Sequence, residues 1–221
     1  MIKCCIFDLD GTLLNTLTTI TYYVNLTTKK RGIAPITEEE CKGFIGNGAL
    51  NLMRRTLASK GIVDEEMSVE LWKEYMDEYN VDSMYLTVPY DGIPELLSSL
   101  KEKGILLGVL SNKQDSSTQD VVNKILPGLF DRVRGDRADS TPLKPAPDGL
   151  FNMMEELGVK ADEVLYIGDT SVDMKTGKAA GVKKTVGVLW GFRSREELIE
   201  SGADVLAQRA EDILAEVFSI D

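Results

Sequence analysis

Short apolar runs alternate with amphipathic segments over most of the chain. Each run is followed by polar or turn residues and has the length of a buried strand; the runs cover residues 2–8, 105–110, 164–167 and 185–189. The segments between them repeat apolar residues at helical spacing, and a glycine follows each; they cover residues 94–103, 147–157 and 171–180. Strands that alternate with helices predict an α/β fold, with a parallel sheet and helices on both of its faces.

Residues 16–83 interrupt this alternation, because no buried strand is evident among them. Thr37 and Glu40 have the spacing of a helix capping box. The segment from Thr16 to Thr28 is rich in β-branched residues of poor helix propensity, yet its periodicity favours a helix. We therefore predict an all-helical domain at 16–83, inserted into a core domain of residues 1–15 and 84–221. Two connections would form a hinge and make the insert a lid over the strand ends.

Composition and charge argue against several classes of partner. Apolar residues make up 43% and charged residues 28% of the 221 positions, as in soluble globular proteins. The net charge of −11 argues against nucleic acid or an anionic membrane surface as partner. The apolar runs are too short to span a bilayer, and the first residues lack the pattern of a signal peptide. Three cysteines, two of them adjacent, form no disulfide framework, which predicts a cytoplasmic location.

Polar motifs follow three of the predicted strands. They are the run from Asp8 to Thr12, the pair Ser111 and Asn112, and Gly168-Asp169 with Asp173 four residues on. Ligands of open parallel sheets bind outside the carboxyl ends of the strands, which is where these motifs fall. Lys144 stands alone between the last two motifs. The chain has no histidine, so its chemistry depends on carboxylates, lysine and a hard metal ion.

Two aspartates at positions i and i+2, Asp8 and Asp10, can both approach one point beyond their strand. A carboxylate can attack phosphorus once the phosphate oxygens are neutralised, which forms an aspartyl-phosphate. The second carboxylate can then give a proton to the leaving oxygen and later take one from water. Mg²⁺ suits oxygen ligands that share a phosphate. Taken singly, each motif also fits a plain turn, a helix cap or a solvated lysine; their order and common position favour a site.

At this level of detail the chain resembles the phosphatases of the haloacid dehalogenase superfamily over nearly its whole length. The resemblance implies a Rossmann-like core and a helical cap domain. The motif that begins at Asp8 matches the family's first motif, with Asp8 as nucleophile and Asp10 as acid and base. Ser111 matches the hydroxyl that binds the phosphoryl group, and Lys144 matches the lysine of the third motif. Asp169 lies in the fourth, acidic motif.

The resemblance also implies the metal site. In the family, Mg²⁺ is held by the nucleophilic aspartate, by the backbone carbonyl of the second aspartate and by an aspartate of the fourth motif. These ligands correspond to Asp8, Asp10 and Asp169. Asp173 either binds the metal through water or holds Lys144 in place.

Several residues associate the chain with the branch that contains phosphoglycolate phosphatases and β-phosphoglucomutases. Thr12 favours hydrolysis, because the mutases commonly have valine or isoleucine there. The glycine-rich segment 44–48 resembles the cap loop of phosphoglycolate phosphatases, where the mutases carry basic residues. One departure is Asn15, where many relatives have aspartate. The resulting candidate substrate-binding residues are Thr12, Ser111, Asn112, Lys113, Gly46, Asn47, Gly48 and Arg54.

The preferred function is Mg²⁺-dependent hydrolysis of a small phosphorylated metabolite, with 2-phosphoglycolate as the best candidate. A β-phosphoglucomutase-type isomerase and a pyrophosphatase are the alternatives, and a non-catalytic relative is a weaker one, because no motif residue is missing. The loop glycines could instead only turn the chain, and Arg54 or Lys113 could read the substrate or simply be solvated. Oligomeric state cannot be read from the sequence.

Overall fold

The computed structural model describes residues 1–137 and 140–218. It divides into two compact units: Met1–Asn15 with Pro89–Asp221, and Thr16–Val88. The first unit holds the parallel sheet and the second is helical. The second unit runs five residues past the predicted end at residue 83, up to Val88. Residues of this added stretch contact Thr19: its hydroxyl donates to the carbonyl of Tyr85 and lies 2.9 Å from the hydroxyl of Thr87.

Within residues 1–137 and 140–218, eight strands form two sheets. In chain order they are β1 (Cys4–Phe7), β2 (Leu14–Asn15), β3 (Val88–Pro89), β4 (Leu106–Gln114), β5 (Arg132–Asp136), β6 (Val164–Gly168), β7 (Lys184–Val188) and β8 (Val205–Ala207). Six of them form a sheet in the order β5-β4-β1-β6-β7-β8, and every pairing in it is parallel. Strands β2 and β3 pair with each other. The predicted α/β fold with a parallel sheet is confirmed.

Helices occupy most of the remaining chain. The helical unit contains α1 (Leu17–Lys29), α2 (Glu38–Phe44), α3 (Ala49–Ser59) and α4 (Glu65–Val81). The sheet unit contains α5 (Ile93–Glu102), α6 (Asp115–Ile125), α7 (Asp148–Leu157), α8 (Ser171–Ala180), α9 (Arg195–Glu200) and α10 (Ala210–Phe218), with a 3₁₀ turn at Ala161–Glu163. Among the residues that the structure describes, no helix is long and apolar enough to cross a bilayer.

The sheet extends further on both sides than the apolar runs predict. The edge strands β5 and β8 were missed, because the first has the polar sequence Arg-Val-Arg-Gly-Asp and the second has only three residues. Edge strands need less apolar surface than central ones, so their periodicity is weak. Strand β1, in the middle of the sheet, is buried along its whole length and includes the free thiols of Cys4 and Cys5.

The helical unit has a core of its own, which includes Val24, Met53, Leu57 and Leu71. Helix α1 forms despite its threonines because its apolar residues pack into this core. Several threonine hydroxyls bond to the carbonyl four residues earlier. Thr27, for example, donates to Tyr23 at 2.9 Å. Such bonds satisfy a buried hydroxyl inside a helix. The predicted capping box at the start of α2 is confirmed.

Candidate active site

The sheet order brings the polar motifs together. Strand β1 lies between β4 and β6, so the motifs that follow these three strands share one edge of the sheet. Asp8 comes directly after β1, and its amide donates to the carbonyl of Ile167 in β6 at 2.8 Å. Ser111 and Asn112 lie within β4 rather than after it, in the stretch where its register with β5 shifts. Adjacent strand ends therefore supply the side chains of one cluster.

Lys144 connects two of the buried aspartates. Its ammonium nitrogen lies 2.9 Å from Oδ1 of Asp8 and 2.6 Å from Oδ1 of Asp173. Burial would lower the pKa of Lys144, but the charges of Asp173 and Asp8 outweigh it and raise that pKa well above its usual value. Lys144 is therefore a fixed positive charge beside Asp8.

Asp173 is held by the start of its own helix. Its Oδ2 accepts hydrogen bonds from the amide of Thr170 at 3.1 Å and from the Thr170 hydroxyl at 2.6 Å, as the N3 residue of the capping box of α8. Its Oδ1 also accepts from the hydroxyl of Tyr166 at 3.4 Å. Asp173 contacts Lys144 directly, and one of its oxygens also lies within 4.8 Å of oxygens of Asp8 and Asp169.

Asn112 contacts the backbone of Lys144. Its amide nitrogen donates to the Lys144 carbonyl at 2.9 Å, and its Oδ1 accepts from the Lys144 amide at 2.9 Å. Two hydrogen bonds from one rigid amide restrain the position and the rotation of the Lys144 peptide. Strand β4 thereby positions the loop that supplies the lysine.

Asp169 is fully buried, and both of its oxygens accept hydrogen bonds. Thr12 donates to Oδ1 at 2.9 Å, and the amide of Phe192 donates to Oδ2 at 2.8 Å. Burial raises the pKa of Asp169 well above its usual value, with contributions from the charges of Asp173 and Asp8, although these two hydrogen bonds oppose the rise. Thr12, which was predicted to bind substrate, contacts this carboxylate.

Two glycines pack directly against Asp169. A Cβ on Gly11 would lie 2.3 Å from an Asp169 carboxylate oxygen, and a Cβ on Gly191 would lie 2.2 Å from the Asp169 Cβ. Gly11 also has φ +90, which L side chains rarely adopt. The turn after β1 and the segment after β7 can therefore close around this aspartate only with glycine at both positions.

Asp10 and Lys113 form a second ion pair. The Lys113 ammonium lies 3.2 and 3.3 Å from the two carboxylate oxygens of Asp10, and the side chains are 10% and 13% exposed. The amide of Lys113 donates to the hydroxyl oxygen of Ser111 at 3.2 Å.

The carboxylates of this cluster fit a hard divalent cation. Asp8, Asp169 and Asp173 each offer an oxygen, and these oxygens lie within 4.8 Å of one another. Burial raises the pKa of Asp8 to about 7; Lys144 opposes the rise and Asp173 adds to it. With Asp10, the cluster has four carboxylates against the two ammonium groups of Lys144 and Lys113, an excess of two negative charges when all are ionised. Oxygen donors with that excess suit Mg²⁺.

The predicted binding residues of the helical unit have local explanations in the structure. Gly46 and Gly48 have φ +120 and +80, so the backbone of this turn before α3 itself requires glycine. The Asn47 carbonyl accepts from the Asn51 side chain at 2.8 Å. Arg54 pairs with Glu65 and donates to Oδ1 of Asn51 at 3.0 Å.

The sequence analysis missed two contributors to the cluster. One is the backbone amide of Phe192, which carries no side-chain signal and lies far from Asp169 in sequence. The other is the hydroxyl of Tyr166, which is buried within the apolar run of β6 and contacts Asp173. A tyrosine inside an otherwise apolar central strand is the signal that could have identified Tyr166, because a buried hydroxyl needs a hydrogen-bond partner.

A family model described as haloacid dehalogenase-like hydrolase matches residues 5–188. The chain therefore belongs to the haloacid dehalogenase-like hydrolase family. Within this family it is a phosphatase, a phosphoric monoester hydrolase, so the predicted family and enzyme class are confirmed.

Two similar proteins are phosphatases that are named for different substrates. One is the N-acetylmuramic acid 6-phosphate phosphatase of Pseudomonas aeruginosa, 30% identical over 96% of this chain and 93% of its own length. The other is a phosphoglycolate phosphatase of Rhodospirillum rubrum, 33% identical over 92% of this chain and 86% of its own. Among solved structures, a candidate phosphoglycolate phosphatase from Lactobacillus delbrueckii subsp. bulgaricus is 30% identical, with a TM-score of 0.91 and 99% of both chains covered.

Proposed function

We propose that this phosphatase hydrolyses a small-metabolite phosphate monoester with Mg²⁺, through an aspartyl-phosphate on Asp8. The observation that carries the proposal is the position of Asp8, directly after the central strand β1 and 2.9 Å from the Lys144 ammonium. A carboxylate held beside a fixed cation can meet a phosphate dianion without prohibitive repulsion.

In the first step, an Asp8 carboxylate oxygen attacks phosphorus and the bond from phosphorus to the leaving oxygen breaks. Asp10, released from Lys113 and carrying a proton, donates that proton to the leaving oxygen, so the alcohol leaves neutral. Lys144 compensates the negative charge beside Asp8, and the Ser111 hydroxyl is available to a phosphoryl oxygen. The products of this step are the free alcohol and phosphorylated Asp8.

In the second step, water attacks the phosphorus of the aspartyl-phosphate. Asp10, now ionised, takes a proton from that water, and the bond to Asp8 breaks to restore its carboxylate. Orthophosphate is released. Asp10 thus returns to its starting protonation state after each turnover.

Asp8, Asp169 and the backbone carbonyl of Asp10 would hold Mg²⁺, with Asp173 close enough to contribute through water. The ion supplies charge neutralisation for the phosphate oxygens when it is bound. Thr12 and the amide of Phe192 orient the Asp169 carboxylate, and Asn112 orients the Lys144 loop. These supporting contacts fix the orientation of a metal-binding or phosphate-binding group without touching the substrate.

The proposed substrate is 2-phosphoglycolate. This choice is supported by the names of several relatives, including the Rhodospirillum rubrum and Aquifex aeolicus phosphoglycolate phosphatases. A second candidate is N-acetylmuramic acid 6-phosphate, favoured by the similarity to the Pseudomonas aeruginosa enzyme over 96% of this chain. The two substrates differ strongly in size and in the distance from the phosphate to the carboxylate.

A substrate screen tests the proposal. We expect phosphate release from 2-phosphoglycolate to have the highest kcat/KM, to require Mg²⁺ and to stop with EDTA. The screen includes N-acetylmuramic acid 6-phosphate, pyrophosphate and β-glucose 1-phosphate. A muramic acid ester as best substrate would select the second candidate, and conversion of glucose 1-phosphate to glucose 6-phosphate would indicate a mutase. Undiminished activity after chelation and dialysis would contradict the Mg²⁺ requirement.

Asp10→Asn tests the acid role. Asparagine has no proton to give, so hydrolysis of an alkyl phosphate should fall by about 10²–10⁴-fold, the contribution of a general acid and base. An aryl phosphate with an activated leaving group needs little protonation, so its phosphorylation of Asp8 should fall much less. The first step is measured as the burst of released phenol. A burst rate reduced as much as the alkyl phosphate rate would show that Asp10 does not act as the acid.

A further inference from the structure

The ion pair between Lys113 and Asp10 is nearly closed to solvent. Both oxygens of Asp10 lie within 3.3 Å of the Lys113 ammonium, and the lysine side chain is only 10% exposed. An ammonium with so little access to water requires an anion beside it. When Asp10 gives up this contact during turnover, an anionic group of the substrate can take its place.

The backbone of Lys113 is fixed by its surroundings. The Thr118 hydroxyl donates to the Lys113 carbonyl at 3.3 Å, and the Lys113 amide bonds to Ser111. Strand β5 packs so closely that a Cβ on Gly135 would lie 2.5 Å from the Lys113 carbonyl oxygen. The main chain therefore holds its place, and the flexible lysine stem is the part that can change partner.

The position of Asp10 determines which substrate atoms can reach the Lys113 ammonium. In the proposed reaction Asp10 is next to the leaving oxygen, so the substrate atoms nearest to Lys113 belong to the leaving alcohol. Phosphoglycolate carries a carboxylate only two bonds from that oxygen. Such a carboxylate can arrive at the Lys113 ammonium while the phosphate is beside Asp8 and Lys144.

We propose that Lys113 is the residue that recognises a second anionic group on the leaving alcohol, and that this group replaces Asp10 as its partner. The inference rests on the proposed function and deepens it. The substrate class is phosphate monoesters of short hydroxy acids, with the carboxylate close to the ester oxygen. In N-acetylmuramic acid 6-phosphate the carboxylate lies across the sugar ring from the phosphate, out of reach of a group beside the leaving oxygen.

The other predicted cation is less suited to this role. Arg54 is engaged with Glu65 and Asn51 within the helical unit. Lys113, in contrast, extends from the same strand as Ser111 and contacts a residue of the first motif. When the substrate carboxylate binds to Lys113, Asp10 is thus released from its ion pair.

Lys113→Met tests the inference, because methionine keeps an unbranched stem and removes the charge. The substrates are 2-phosphoglycolate and ethyl phosphate, which have the same chain length and differ by the carboxylate. We expect the ratio of their kcat/KM values to fall by about 10- to 100-fold, the order for one charge-assisted contact. KM for 2-phosphoglycolate should carry most of the change. Glycolate should also inhibit the variant more weakly than the wild type.

Lys113→Gln serves as a second variant, in case methionine beside Asp10 impairs folding, and the thermal midpoint is recorded for both. Lys175→Met, an exposed lysine on α8, is the control and should leave the ratio unchanged. Equal losses for the two esters would overturn the inference and leave the proposed phosphatase function standing. If the wild type hydrolyses neither ester, the inference fails together with the proposed substrate; if it hydrolyses no phosphate monoester of the screen, the proposed phosphatase function itself is wrong.

Discussion

We expect Asp8→Asn to abolish turnover in a protein that still folds. Asparagine occupies nearly the same volume, and its oxygen can still accept from Lys144, but it cannot form an aspartyl-phosphate. The loss of kcat should be about 10⁴-fold or more, in the range seen when a catalytic nucleophile is removed. Phosphate release measures this loss. The same variant should also fail to bind fluoroberyllate, which the wild type should trap at Asp8.

The stability of Asp8→Asn gives an independent measurement. Burial holds the pKa of Asp8 at about 7 in the folded chain, above the value of about 3.9 for an unperturbed aspartate. The ionised form therefore destabilises the fold increasingly as the pH rises from about 4 to about 7. In EDTA, the variant should melt at a higher temperature than the wild type, with a larger difference at pH 8 than at pH 5. Normal turnover in Asp8→Asn would refute the mechanism whatever its stability.

Lys144→Met should have the second largest effect. It removes the cation between Asp8 and Asp173, so these two buried carboxylates lose the positive charge that compensates them. We expect kcat/KM to fall by about 10²–10³-fold, as when one group that stabilises transition-state charge is deleted. KM should rise and kcat should fall together, because the lysine compensates phosphate charge before and during the reaction.

The same replacement should destabilise the chelated protein by about 3–5 kcal/mol, the cost of breaking a buried ion pair from one side. Lys178→Met is a matched control, because Lys178 pairs with Asp204 at the surface and is 47% exposed. Its loss should cost no more than about 1 kcal/mol and leave kcat/KM intact. An unchanged kcat/KM in Lys144→Met would rule out the proposed role of Lys144.

The central strands and the cluster could be predicted because their signals are local. A strand buried on both faces reads as a continuous apolar run, and the residues that follow it mark its end. Parallel strands have their carboxyl ends at one edge, so Asp8 and Asp169 could be assigned to one site before any coordinates were known. The role of the loop glycines in the helical insert was harder to predict, because a glycine-rich segment can equally serve only to turn the chain between two helices.

The sequence by itself determined the α/β class and predicted the helical insertion and the aspartates and Lys144 of the cluster, because periodicity and motif spacing are properties of neighbouring residues. Only the tertiary structure decided which groups act on one another: Thr12 on Asp169, Asn112 on the Lys144 backbone, and Lys113 on Asp10. These contacts join segments up to 157 residues apart. Their partners are chosen by strand order, close glycine packing and the need to pair buried charges, which no local pattern contains.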